Sequence, residues 1–136
     1  STVFCNNITV VQLKNILKAS NLLGNSLPLF FNQVLIIISA GVEDVESLSE
    51  TLINQLMICS DLKIIAIIKD NSQGSCSISF RTNAYGSDID VSKLALELGG
   101  GGHHYMAGAR AMGDAGTVKR LVIKTIQKVF PELGQQ

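Results

Sequence analysis

Charge of neither sign predominates in this chain: 11 lysines and arginines stand against 11 aspartates and glutamates among 136 residues. That balance provides no global positive field, so a nucleic acid cannot be held by charge alone and any anionic ligand must be gripped locally. Aromatic residues are few, with five phenylalanines, two tyrosines and no tryptophan. Long single strands are normally held in extended basic grooves with stacking aromatics, so the shortage favours small substrates. The three cysteines, Cys5, Cys59 and Cys76, are far apart and form no C-x-x-C pair. This argues against a zinc site and a disulfide framework and fits a reduced, cytoplasmic setting. The longest apolar runs fall well short of the ~20 residues of a membrane span, and no basic-then-apolar leader opens the chain, so no membrane is expected among its partners.

What is present suffices for one core. At 46% apolar residues the chain is long enough for a single domain, and a second complete one is not expected. Leu13, Ile16 and Leu17 have helical spacing with Lys14 and Lys18 on another face, predicting an amphipathic helix over residues 9–20 that "GNSLP" ends. "VLIII", Val34 to Ile38, is a short apolar run with three isoleucines and a valine, expected as a strand buried on both faces. In "GVEDVESLSETLINQLM", Val45, Leu48, Leu52 and Leu56 form one stripe, with Glu43, Asp44 and Glu46 in the first turn where the helix dipole favours acids. "LKIIAIIK", Leu62 to Lys69, predicts a second buried strand and "DNSQGS" a turn. Strand, helix, strand with buried strands implies an α/β sheet.

Beyond the turn, "SCSISFR" alternates strictly, Cys76, Ile78 and Phe80 pointing one way and Ser75, Ser77, Ser79 and Arg81 the other. The polar side suits a solvated outer face, or an anion site ending in a guanidinium that binds phosphate bidentately; periodicity does not choose between them. Asp90 is placed to cap a helix "VSKLALEL" with Val91, Leu94, Ala95 and Leu98 on one stripe. "AGARAMG" suits a short strand. Thr117 to Phe130 predicts a last helix, with Val118, Val122, Thr125 and Val129 inward and Arg120, Lys124 and Lys128 on another face, either solvated or meeting a partner.

Four glycines, Gly99 to Gly102, precede His103 and His104. Gly99 falls just past a helix end, where a left-handed residue is usually glycine. Each ordered glycine costs about 0.5–1 kcal/mol relative to alanine, so the run costs roughly 2–4 kcal/mol against a folding free energy of about 5–15 kcal/mol. Close packing at a sharp turn would account for it, and so would backbone N–H groups presented to an anion. The run has neither dinucleotide-fingerprint spacing nor the G-K-[ST] ending of a P-loop. His103 can donate to a phosphate or to a base edge, or serve structure alone. Consecutive histidines point apart in an extended loop, and no carboxylate at short spacing completes a metal site.

"ISFRTNAYGSDIDVSKLALELGGGGHHYMAGA", Ile78 to Ala109, resembles the motif core of the DHH-associated domain, the smaller C-terminal domain of DHH-family phosphoesterases. Ser79 and Arg81 match its Ser-x-Arg strand end and Asp90, Val91 and Ser92 its helix start. Gly100, Gly101, Gly102 and His103 match its Gly-Gly-Gly-His loop, and Ala107 and Gly108 the Ala-Gly that follows. The resemblance covers about residues 32–130, and departs from the family where His104, Tyr105 and Met106 are bulky.

The resemblance implies a single α/β domain, a mixed sheet of about five strands flanked by helices, over residues 32–136. Residues 1–31 would then be a linker and leading helix toward an N-terminal catalytic domain. It implies that Arg81 clamps a phosphate, that Gly100, Gly101 and Gly102 offer backbone donors, that His103 contacts substrate near the scissile phosphate, and that Ser79 lines the same pocket. No residue of this chain is expected to be catalytic or to bind metal. The family's Asp-His-His motif, which with further aspartates binds two divalent metals, usually manganese, has no counterpart here, and two-metal hydrolysis requires such ligands. The expected substrates are oligoribonucleotides a few units long, phosphoadenosine phosphate or a cyclic dinucleotide, with the chain inactive alone and a homodimer as a further partner. The alternatives are an RNA- or tRNA-binding module like that of alanyl-tRNA synthetases, and part of a RecJ-like exonuclease on single-stranded DNA.

Overall fold

The computed structural model describes residues 29–31, 33–39, 62–83 and 88–134. The helices expected over 9–20 and 41–57 lie outside these residues. Six strands and three helices run in the order β1 (Leu29–Phe31), β2 (Val34–Ile38), β3 (Ile64–Asp70), β4 (Ser75–Arg81), α1 (Ser92–Glu97), β5 (Gly101–Gly102), β6 (Met106–Met112), α2 (Ala115–Val129) and α3 (Pro131–Gly134). The strands form one sheet in the order β1-β2-β3-β4-β6-β5. β2 and β3 pair in parallel, Val34 opposite Ile64, and the other neighbours are antiparallel, so the sheet is mixed. Five of its strands have three residues or more and β5 has two, which agrees with the sheet of about five strands implied by the resemblance. Among the described residues no helix is long and apolar enough to cross a membrane.

Short-range chemistry explains the boundaries. β3 turns into β4 where the Asp70 carboxylate accepts the Ser72 amide at 2.8 Å, with Ser72 and Gly74 both at positive φ. α2 begins where the Asp114 carboxylate accepts the Thr117 amide at 2.8 Å. β1 has no counterpart in the sequence reading, which assigned Leu29 to Phe31 to the linker. Three residues are too few to show a period, and their pairing with β2 supplies the strand.

The alternation of β4 is borne out: Cys76, Ile78 and Phe80 are buried on one face and Ser75, Ser77, Ser79 and Arg81 are half-buried on the other. Strand register aligns the first set with Val34 and Ile36, with Ala66 and Ile68, and with Ala107. The helices cover this face with Val91, Leu94 and Ala95 around α1, Val118, Val122 and Ile126 of α2, and Phe130 and Leu133 beyond it. Ile126 takes the inner place expected of Val129, which is half-buried.

The second face changes character across the sheet. Leu35, Ile37 and Ile65 are fully buried at the β2–β3 side. Over β4, β6 and β5 it carries serines, glycines, Arg81 and Arg110, with Met106 and Met112 exposed at the two ends of β6.

Candidate functional site

The glycine run divides by position. Gly99 has φ +82, and the Gly99 and Gly100 amides donate to the carbonyls of Leu96 and Ala95 at 3.1 and 2.7 Å. These are the two bonds of a Schellman helix end, so Gly99 is the left-handed terminator expected from the sequence. The Gly100 amide is thereby used by the helix and is not the anion donor that the resemblance implied; what Gly100 supplies is closeness. A methyl there would overlap the Gly108 carbonyl and lie 2.7 Å from the Cα of Ala109. Gly102 has φ +149, and a methyl on it would lie 2.5 Å from the Cα of Ala107. Gly101 differs from all three. Its φ is not positive and nothing lies within 4 Å of where its Cβ would be.

β5 and β6 form a hairpin closed by His103 and Met106, whose backbones exchange bonds of 2.7 and 3.3 Å. The turn between them is tied down on both sides. The Thr82 amide, next to Arg81, donates to the Tyr105 carbonyl at 3.0 Å, and the Val91 amide donates to the His104 carbonyl at 2.8 Å. The bulky residues after the motif histidine thus anchor the loop through their carbonyls. The His103 and Tyr105 rings stack with centroids 6.5 Å apart.

Register brings together what sequence spacing leaves apart. Ser79 lies opposite Gly108, which lies opposite Gly101, making a row across three strands without a side chain larger than a hydroxymethyl group. One step along, Arg81 lies opposite Met106, the residue that closes the hairpin with His103. Alternation puts Ser79, Arg81, Gly101 and His103 on the same face of the sheet. Gly100 and Gly102 fall on the other parity, where a side chain would collide with Ala109 and Ala107. Gly108 joins the row, with a Cβ position 3.2 Å from the Ile78 carbonyl; the resemblance had matched it only as part of the Ala-Gly step.

The loop is seated on a polar support. The Asp90 carboxylate accepts the Ser92 hydroxyl at 2.5 Å and the Ser92 amide at 3.0 Å. The N-cap of α1 falls at Val91, which makes no side-chain capping bond, one residue beyond the Asp90 expected from the sequence, and Asp90 supports the helix start through these two bonds to Ser92. The Ser92 hydroxyl holds the Asp90 carboxyl below the usual carboxylate range, aided by the Ser92 amide and by the positive charge of His104 and Lys93, and opposed by partial burial. On the helix-covered face of the sheet, burial pushes the Cys76 thiol up, with Asp70 and Asp114 adding to the effect. Cys76 is a core residue whose sulfur lies 3.4 Å from the Gly113 carbonyl oxygen. Among the described residues no group of three His, Cys, Asp or Glu side chains could hold a metal ion. The manganese implied by the resemblance has no fitting ligand set in them.

No curated protein matches the chain. The chain is similar to several solved structures. An exopolyphosphatase-related protein from Bacteroides fragilis is 18% identical with a TM-score of 0.64, over 93% of this chain and 38% of that one. The C-Ala domain of alanyl-tRNA synthetase from Aquifex aeolicus is 12% identical with a TM-score of 0.53, over 80% of this chain and 99% of that one. A pGpG-specific phosphodiesterase, PggH from Vibrio cholerae, is 14% identical with a TM-score of 0.49, over 85% of this chain and 40% of that one. The chain spans about 40% of the phosphodiesterase and 38% of the exopolyphosphatase-related protein. The DHHA1 domain model matches residues 35–131, the stretch that carries the sheet apart from β1 and Val34, the glycine run and all of α2, and the chain belongs to the DHHA1 domain family.

Proposed function

We propose that this chain is the substrate-holding part of a DHH-family phosphoesterase acting on short phosphodiesters, with bond cleavage carried out by a separate two-metal domain. The observation that carries the reading is Gly101. Neither backbone conformation nor packing requires a glycine there, yet it sits on the open face in one row with Ser79 and Gly108, next to Arg81 and His103. A bare backbone at an unobstructed position is what close approach of a ligand needs, and a neighbouring guanidinium suits a phosphate oxygen pair. In this reading Arg81 clamps a phosphate, Ser79 adds a hydroxyl, Gly101 lets the ligand lie against the strand, and His103 offers a ring nitrogen from the anchored hairpin end, while Gly102, on the other parity, serves close packing against Ala107. Gly100 holds β5 against β6. The chain's own residues bind and orient, and attack on phosphorus belongs to the metal-bearing partner domain.

Nucleotide binding by the purified chain tests this directly. Arg81→Ala and His103→Ala should each abolish binding of a dinucleotide in calorimetric titration while the far-ultraviolet circular dichroism stays native. Undiminished binding in both variants would sink the proposal. The alternative, an RNA-binding module without a hydrolytic role, draws on the likeness to the alanyl-tRNA synthetase domain, nearly all of which this chain matches. Strongly salt-dependent tRNA binding that ignores His103→Ala would decide for it.

A further inference from the structure

The open face carries a second cationic row that neither the family motif nor the sequence reading includes. Lys69 lies opposite Ser77 and Ser77 opposite Arg110, so the two cations flank one serine across three adjacent strands. Both are exposed, and among the described residues neither forms an ion pair or a side-chain hydrogen bond. The Ser77 hydroxyl between them is held by the Asn71 amide, whose nitrogen lies 3.2 Å away. At about 4.8 Å per strand the Lys69 and Arg110 backbones are roughly 10 Å apart, near enough for both long side chains to converge on one anion above Ser77.

Three rows therefore cross this face in sequence. Arg81 and His103 stand at one end, the bare row of Ser79, Gly108 and Gly101 in the middle, and Lys69 and Arg110 at the other. Ser77 and Arg81 are four residues apart on one strand, which separates the end rows by roughly 13 Å. No described strand residue on this face is acidic. A chain neutral overall thus gathers three permanent cations on one side of its sheet, and their spacing is too wide for a single phosphate to touch both ends.

Taking the proposed function as its premise, we infer that this face binds a single-stranded oligonucleotide several units long, one phosphate at Arg81 and a later one between Lys69 and Arg110. The backbone between them crosses the bare row. Lys69, Ser77 and Arg110 thereby become subsite residues that set substrate length.

Fluorescence anisotropy with a dinucleotide and a five-unit oligoribonucleotide tests the assignment on the intact chain. The Lys69→Ala/Arg110→Ala variant should bind the five-unit ligand roughly tenfold more weakly with a shallower salt dependence, and the dinucleotide within about twofold of wild type. The Arg120→Ala/Lys124→Ala variant removes the same charge from α2 and should change neither. Equal weakening of both ligands, no weakening of either, or the same length dependence in the α2 variant would overturn the inference. Undiminished dinucleotide binding in both Arg81→Ala and His103→Ala would instead overturn the proposed function on which it rests, a result read from separate variants.

Discussion

Alanine substitution along Gly99 to Gly102 should give four different outcomes from one chemical change. At Gly100 the new methyl would overlap the Gly108 carbonyl and stand 2.8 Å from the Ala109 methyl. These are backbone and strand-bound atoms that cannot swing aside, so the hairpin must shift away from α1. Overpacking of this kind costs about 1–3 kcal/mol. At Gly102 the crowding is similar, with Ala107 Cα 2.5 Å from the methyl, and φ of +149 adds backbone strain. At Gly99 there is room, and only the left-handed φ of +82 opposes a side chain, for about 1–2 kcal/mol. At Gly101 there is neither obstruction nor unusual φ, so alanine should stabilise the chain by about 0.4–1 kcal/mol through a less flexible unfolded state. Urea unfolding followed by circular dichroism reads these differences: with a slope of roughly 1–3 kcal/mol per molar, Gly100→Ala and Gly101→Ala should part by about 0.5 M or more in midpoint. Gly101→Ala should combine this native stability with nucleotide binding weakened about tenfold, a loss of about 1.4 kcal/mol. A Gly101→Ala chain destabilised as much as Gly100→Ala would refute the reasoning and make the run structural throughout.

The core and the loop support give two further predictions. Phe80 is fully buried between the sheet and the helices, so Phe80→Ala should lower the unfolding free energy by about 3–5 kcal/mol at unchanged urea slope. Asp90 titrates below its usual range because Ser92 binds its charged form. A depressed folded value means that its stabilisation is present above the unfolded pKa near 3.9 and is lost as pH falls through the folded value. Asp90→Ala should therefore lose about 1 kcal/mol of stability at pH 7 and lose correspondingly less below about pH 4, measured as thermal midpoints across pH.

Periodicity and local chemistry were enough for several elements. The run Val34 to Ile38, the alternation of Ser75 to Arg81, the helix start near Asp90 and the stop at Gly99 each depend on neighbours within a few residues, so they could be read directly. The resemblance carried the family and the residues of the candidate site. What remained undecided in the sequence depends on strands that meet from distant positions. Alternation is symmetric, and only the pairing of β4 with β6, and of β6 with β5, put Ser79, Arg81, Gly108 and Gly101 on one open face. Likewise four identical glycines acquired different duties because β6 crowds Gly100 and Gly102, the helix end takes Gly99 and nothing approaches Gly101. The row of Lys69 and Arg110 escaped sequence reading for the same reason. Forty-one positions separate the two residues in the chain, and two strand spacings separate them in the sheet. Residue chemistry thus determined which groups could hold a phosphate, whereas register, a property of long-range pairing, decided which of them face the same ligand.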